Sequence, residues 1–182
     1  MKIVTHLLLN SAKQAGLIKI PAMMSVYEQI VELLESHNIS YELHEHVPVR
    51  TVAEVEEKLP FLLDKMLKTV AFRVKDGRFI LAGLRGHDRI DYRQLAVYCG
   101  VNRRAIASMA PDAVEAELGF EVGGVGPFAL QPEVIVLLDE QLATMGTVYC
   151  GSGRNTATLA IDITDLLRVC GGEMVSLARD DA

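Results

Sequence analysis

The sequence predicts an α/β fold of the α+β type: a single compact domain with a curled mixed β-sheet, a pseudo-barrel, and helices packed outside it. Three observations predict it. Strand-like and helix-like segments are interspersed, but without the strict alternation of a doubly wound sheet. The last third of the chain is mostly strand. No internal repeat or low-complexity linker interrupts the 182 residues, which are enough for one sizeable core.

Ser25-Val26-Tyr27-Glu28 is a capping box, and Val26, Ile30, Leu33 and Leu34 recur at helical spacing until His37-Asn38. Tyr41 to Glu45 alternates as a short strand. Thr51-Val52-Ala53-Glu54 forms a second capping box, opening a charged helix before Pro60. Lys68–Val74 and Arg78–Leu84 flank Lys75-Asp76-Gly77 and read as a β-hairpin. Helices are expected over Asp91–Cys99, Asn102–Met109 and Asp112–Leu118, closed by Gly100, Pro111 and Gly119. Val134–Leu138, Thr147–Cys150 and Ala157–Ile161 are β-rich. Thr164–Cys170 is a short helix ended by Gly171-Gly172, and Met174–Leu177 a terminal strand. Residues 1–22 read as a loosely attached extension outside a domain spanning 23–182. Their apolar run, broken by His6 and Asn10, resembles a signal peptide only faintly and has no convincing cleavage site.

Composition excludes several classes. Eighteen basic against 24 acidic residues give a net charge of −6, which argues against broad electrostatic wrapping of nucleic acid and leaves room for a local basic patch. No stretch is apolar enough to span a bilayer, so no membrane partner is expected. Cys99, Cys150 and Cys170 form no CxxC pair and cannot all pair internally, which fits a reducing, cytoplasmic compartment.

The most informative segment is Glu121-Val-Gly-Gly-Val-Gly-Pro-Phe-Ala-Leu130. Three glycines in four positions let a backbone approach a ligand closely, and Pro127 stiffens the exit. Lys68 stands at the mouth of an apolar strand. It is either a solvated lysine or an ammonium held near a pocket to pair with a phosphate or carbonyl oxygen. Thr69 can add a hydroxyl or serve simply as a strand residue. Arg85 and Arg89, with Arg93 on the next helix, form either a phosphate-binding patch or a solvated basic corner, and Asp91 reads as an N-cap. His44 and His46 share one face of a strand, but no third ligand of suitable spacing accompanies them, so no metal is expected. Ser152, between two glycines, is expected to be accessible, and Cys150 to be a core residue.

Taken in order, Lys68-Thr69, the run Arg85-Gly-His-Asp-Arg-Ile-Asp91, Gly123-Gly-Val-Gly-Pro-Phe128 and Val148-Tyr-Cys-Gly-Ser-Gly-Arg154 resemble a known pattern. It is that of the YbaK family of aminoacyl-tRNA deacylases, related to the editing domain inserted in bacterial prolyl-tRNA synthetases. The resemblance runs from about Ser25 to the C-terminus and includes His46-x-Pro48-Val49-x-Thr51. It implies a hydrolase acting in trans on the ester of a small mischarged amino acid on tRNA, with no metal or organic cofactor. The implied partners are the acceptor end of that tRNA and an aminoacyl-tRNA synthetase.

Carried over, the family's functional lysine falls on Lys68, and its glycine-proline loop on Gly123, Gly124 and Pro127. The small pocket residue falls on Ser152. Lys68, Gly123 and Gly124 are the implied catalytic set. Thr69, His46, Thr51, Arg85, Val125, Gly126, Pro127, Phe128 and Ser152 are the implied substrate-binding set. One departure stands out: relatives often carry Ser or Thr where this chain has Gly126. An aminoacyl ester is already activated, so positioning and oxyanion stabilisation by amides of Val122–Pro127 suffice in principle. Attack by water or by a substrate thiol or hydroxyl stays open. So does a non-catalytic module that binds tRNA ends or a synthetase.

Overall fold

The computed structural model describes residues 24–179. The expectations for residues 1–22 lie outside the described residues. The chain runs α1 (Val26–Ser36), β1 (Tyr41–Glu45), α2 (Val52–Lys58), a 3-10 segment, β2 (Leu67–Val74), β3 (Phe79–Arg85) and α3 (Tyr92–Tyr98). Next come β4 (Ile106–Ser108), α4 (Pro111–Leu118), β5 (Val134–Asp139), β6 (Thr147–Gly151), β7 (Ala157–Asp162), α5 (Ile163–Cys170) and β8 (Gly172–Val175).

The fold is the expected mixed α/β domain, with one correction to its sheet. The strands form two sheets, β1-β7-β6 and β4-β2-β3-β5-β8, and do not close into a barrel. The larger sheet is mixed: β3 with β5 and β5 with β8 are parallel, while β2 pairs antiparallel with β3 and β4. A parallel bridge between Met66 and Tyr149 brings the start of β2 beside β6 of the smaller sheet.

Strand alternation explains how one sheet serves two cores. Leu67 and Ala71 of β2 and Leu81 of β3 join a cluster fed by both sheets and by α1, α4 and α5, with Ile30, Leu34, Phe128 and Leu166 almost fully buried. Phe72 and Val74 of β2 and Ile80, Ala82 and Leu84 of β3 point the other way, onto Leu95, Ala96 and Cys99 around α3. A small third cluster, Val49, Leu59 and Leu62, packs under α2.

The caps are where the sequence puts them. Ser25 and Glu28 form the reciprocal capping box of α1. Thr51 Oγ1 accepts from Glu54 N, but the Glu54 carboxylate accepts from Arg50 N rather than Thr51 N, so the second box is only half formed. Asp91 caps α3 by accepting from Arg93 N and Gln94 N.

The expected helix over Asn102–Met109 is absent. Asn102 does cap a turn, accepting from Arg104 N, but the helix stops after the 3-10 turn Arg103–Ala105. Ile106–Ser108 then pairs with Phe72–Val74 as an edge strand, because this buries Ile106 against the α3-side cluster. The terminal strand is Gly172–Val175, two residues earlier than expected. Leu177 and Ala178 are then held by Asp139, a fully buried carboxylate that accepts from both their amides at 2.8 and 2.7 Å.

Candidate functional site

A cavity of about 380 Å³ opens where the start of β2 meets the end of β6. Its wall is mainly apolar, from Val49, Val55, Leu62, Ala71, Val114 and Val125. The polar groups set into that wall include His46, Thr51, Lys68, Thr69 and the backbone of Gly123. Thus six residues expected at a site from sequence converge on one concavity: Lys68, Thr69, His46, Thr51, Gly123 and Val125.

Lys68 is half-buried, and its ammonium donates to the backbone carbonyl of Asp88. Burial holds its pKa below the ordinary lysine value, and the like charge of Arg89 pushes the same way, while Asp88 opposes. Alternation along β2 sends the Lys68 side chain to the face of Val70 and Phe72, and that of Thr69 to the face of Leu67 and Ala71. Lys68 therefore borders a second cavity as well as the first, whereas Thr69 borders only the first. The buried Thr69 hydroxyl has no hydrogen-bond partner among the described residues, which is uncommon for a buried polar atom. It is a donor and acceptor held ready beside the cavity.

His46 is fixed from both ring nitrogens, with Nδ1 2.7 Å from Val47 O and Nε2 2.9 Å from Thr158 Oγ1. A carbonyl only accepts, so Nδ1 carries the proton of the first contact, and the Thr158 hydroxyl is the partner of Nε2. His44 lies edge-on to Tyr149 at 5.5 Å, with the Glu42 carboxylate 3.5 Å from Nε2, and its ring makes no hydrogen bond among the described residues. Among the described residues no group of three or more His, Cys, Asp or Glu side chains is placed to hold a metal.

The glycines of the loop also lie against other backbone of the chain. A Cβ on Gly123, whose φ is +93°, would lie 2.3 Å from Val49 O; one on Gly124 would lie 2.6 Å from Arg154 C. A Cβ on Gly126 would lie 2.2 Å from Gly151 O, and one on Gly151 2.3 Å from Val125 O. These close approaches are to other backbone of the same chain. They lock the loop against the Val49-Arg50 and Gly151–Arg154 segments. The amide of Gly124 is also committed, donating to Glu121 O at 2.8 Å. The amides of Val122, Gly123, Val125 and Gly126 donate to no acceptor among the described residues, and of these residues Val122, Gly123 and Val125 line the cavity.

Several expected site residues stand elsewhere. Ser152 is not accessible: it is 1% exposed and its hydroxyl donates to Ala157 O at 2.6 Å, so its neighbours Gly151 and Arg154 reach the cavity wall instead. Phe128 is fully buried in the core between the sheets, and Gly126 and Pro127 are buried beside it. Arg85 lines neither cavity; it is exposed and gripped by Asp88 through Nε at 2.7 Å and Nη2 at 3.2 Å. Cys150 is buried as expected, and burial raises its thiol pKa far out of the reactive range.

Sequence reading missed most of the apolar wall, since Val49, Val55 and Val114 come from segments far apart in the chain. It also missed Arg154, whose guanidinium stacks 3.6 Å above the Tyr27 ring beside the cavity. The only sequence signal for it was its place after Gly151-Ser152-Gly153.

Two glycine-bearing loops lock against each other beside an apolar cavity bordered by Lys68, in a mixed α/β scaffold. The chain belongs to the aminoacyl-tRNA editing domain family, whose model matches residues 46–169. The match is to the editing domain as a whole, a coarser grouping than the YbaK family.

The chain is 27% identical over 151 residues to the prolyl-tRNA editing protein ProX of Acetoanaerobium sticklandii, covering 80% of this chain and 91% of that protein. It is 33% identical over 109 residues to the protein YwhH of Bacillus subtilis strain 168, covering 59% and 67%. Against proline–tRNA ligases the likeness is confined to a part, 18% of the ligase of Geobacillus thermodenitrificans. The crystal structure of the hypothetical protein APE2540 has the same fold, with a TM-score of 0.74 at 24% identity over 84% of this chain and all of the other. Among the described residues no helix is long and apolar enough to cross a membrane.

Proposed function

We propose that this protein is a trans-editing aminoacyl-tRNA deacylase, hydrolysing the ester that joins a small, wrongly attached amino acid to the 3′ end of tRNA. The observation that carries the reading is the convergence of Lys68, the unpartnered Thr69 hydroxyl and the free amides of Gly123 and Val125 on one apolar cavity. The family of the chain and its likeness to a prolyl-tRNA editing protein support it. The domain doing this work is residues 23–182.

The residues divide the task. The apolar wall admits a short side chain and excludes larger ones by volume, the kind of sieve that synthetases for small amino acids require. Thr69 orients the aminoacyl end through its hydroxyl. The amides of Gly123 and Val125 face the charge that develops on the ester oxygen; one such donor is worth about 3–4 kcal/mol in a preorganised site. Lys68 holds a phosphate or carbonyl oxygen of the terminal nucleotide. Water, or a thiol or hydroxyl of the substrate itself, attacks the carbonyl carbon, and the ribose hydroxyl leaves with a proton. A synthetase that mischarges the same tRNA is the proposed partner.

The test is release of labelled amino acid from a panel of mischarged tRNAs by wild type and Lys68→Ala. Hydrogen bonds to a charged group are worth about 1.5–3 kcal/mol, so kcat/KM for the hydrolysed ester should fall by about ten- to a hundredfold. Failure of wild type to hydrolyse any ester, with protein folded and RNA intact, would replace the enzyme with a non-catalytic module binding tRNA ends.

A further inference from the structure

The second cavity, about 800 Å³, lies on the far side of β2 from Thr69 and shares Lys68 with the first. Its character is different. Lys68, Arg89, Arg93, Arg103 and Arg179 border it, against two carboxylates, Asp88 and Asp91. Both carboxylates are engaged away from it: Asp88 grips Arg85, and Asp91 accepts the two amides that begin α3. The guanidinium groups of Arg89, Arg93 and Arg179 have no hydrogen-bond or ion-pair partner among the described residues. Arg103 rests on the face of Tyr92, 4.6 Å from the ring centre.

This cluster is assembled by the fold. Arg89 and Arg179 are 90 positions apart, yet Arg179 N donates to Arg89 O at 2.7 Å and Ile90 bridges Ala178. Asp139 pins the same segment from below. In a chain of net charge −6, a concavity with five cations and its acids already engaged is a local reversal of sign. Cations placed this way attract oxyanions.

We propose that this basic cavity binds backbone phosphates of the RNA whose 3′ end enters the first cavity, with Arg89, Arg93 and Arg179 as the phosphate ligands. The reading rests on the editing function proposed above, and adds a phosphate subsite that positions the RNA rather than reacting with it. Lys68, bordering both cavities, marks where the phosphate path meets the ester.

The test uses an RNA hairpin with a single-stranded 3′ end and no amino acid attached, its affinity followed between roughly 50 and 200 mM salt. Each of Arg89→Gln, Arg93→Gln and Arg179→Gln should weaken binding and lower the slope of log Kd against log salt by about one, while Arg→Lys at the same positions restores it. Arg168→Gln, which removes a charge on α5 that pairs with Asp165 and lines neither cavity, should leave the slope as in wild type. An unchanged slope in all three variants, or an equal loss in Arg168→Gln, would overturn the proposal. So would variant-sensitive binding of inorganic phosphate accompanied by unaltered RNA binding, which would make the site one for free phosphate. Because the hairpin carries no ester, the deacylase reading can fail while this site stands, and the reverse.

Discussion

At the scale of single residues, Lys68 and Gly126 show opposite ways in which a site constrains its sequence. Lys68 stays charged in a half-buried place, and burial together with Arg89 lowers its pKa. The sign for function follows: the ammonium is lost as pH rises through that lowered value, earlier than for a solvated lysine. RNA affinity should therefore fall on the alkaline side before the ordinary lysine range is reached. Lys68→Arg should keep its affinity through the same range, because a guanidinium does not deprotonate there. Binding of the hairpin without an attached amino acid, measured across alkaline pH, checks this, and superimposable profiles would remove Lys68 from the phosphate path.

Gly126 is constrained by packing. Its missing side chain leaves room for the Gly151 carbonyl, and the atom a Cβ would strike is backbone, which cannot swing aside. A Ser or Thr there would require the two loops to stand further apart. Gly126→Ala should cost about 1–3 kcal/mol, read as a lower urea midpoint with an unchanged m-value. An unchanged midpoint would mean that the loops are not in contact in solution.

At the scale of elements, most boundaries were legible because they rest on local chemistry. Ser25 and Asp91 announce helices by capping them, Gly77 marks the hairpin turn, and Gly119 closes α4 in the left-handed region at φ +75°. The segment 102–109 was misread because Asn102 is a real cap and Ile106 and Met109 also suit a helix face. The deciding interaction, pairing of Ile106–Ser108 with β2, comes from residues some thirty positions upstream. Asp139 was silent in sequence for the same reason: nothing near it says that it will hold the chain terminus. Asp139→Ala would leave the buried amide of Leu177 without an acceptor, at about 1–3 kcal/mol, and the half-buried amide of Ala178 at less. Hydrogen exchange should show those two amides losing protection, and the RNA salt slope should fall with them, since Arg179 follows directly. Retained protection would mean that β8 alone seats this segment.

At the scale of the whole molecule, the cavity residues were legible as a set and not as a geometry. Lys68, Thr69, His46, Thr51, Gly123 and Val125 do meet, but the sequence could not show that Ser152 and Phe128 turn into the core or that Arg85 is taken by Asp88. Those outcomes depend on how the two sheets face each other, which the core they share and the Met66–Tyr149 bridge between distant strands set. The same dependence makes the proposed boundary at residue 23 testable. The core between the sheets takes its first described member from Val26, and the Ser25–Glu28 box already closes the start of α1. Tyr27, beneath Arg154, then ties α1 to the cavity rim. A chain begun at Met23 should therefore unfold at the same urea midpoint as the full chain and hydrolyse the same ester at the same rate. A midpoint lowered by more than about 1 kcal/mol of stability would make residues 1–22 part of the domain. An unchanged midpoint with a raised KM for tRNA would assign them to the RNA-binding surface instead.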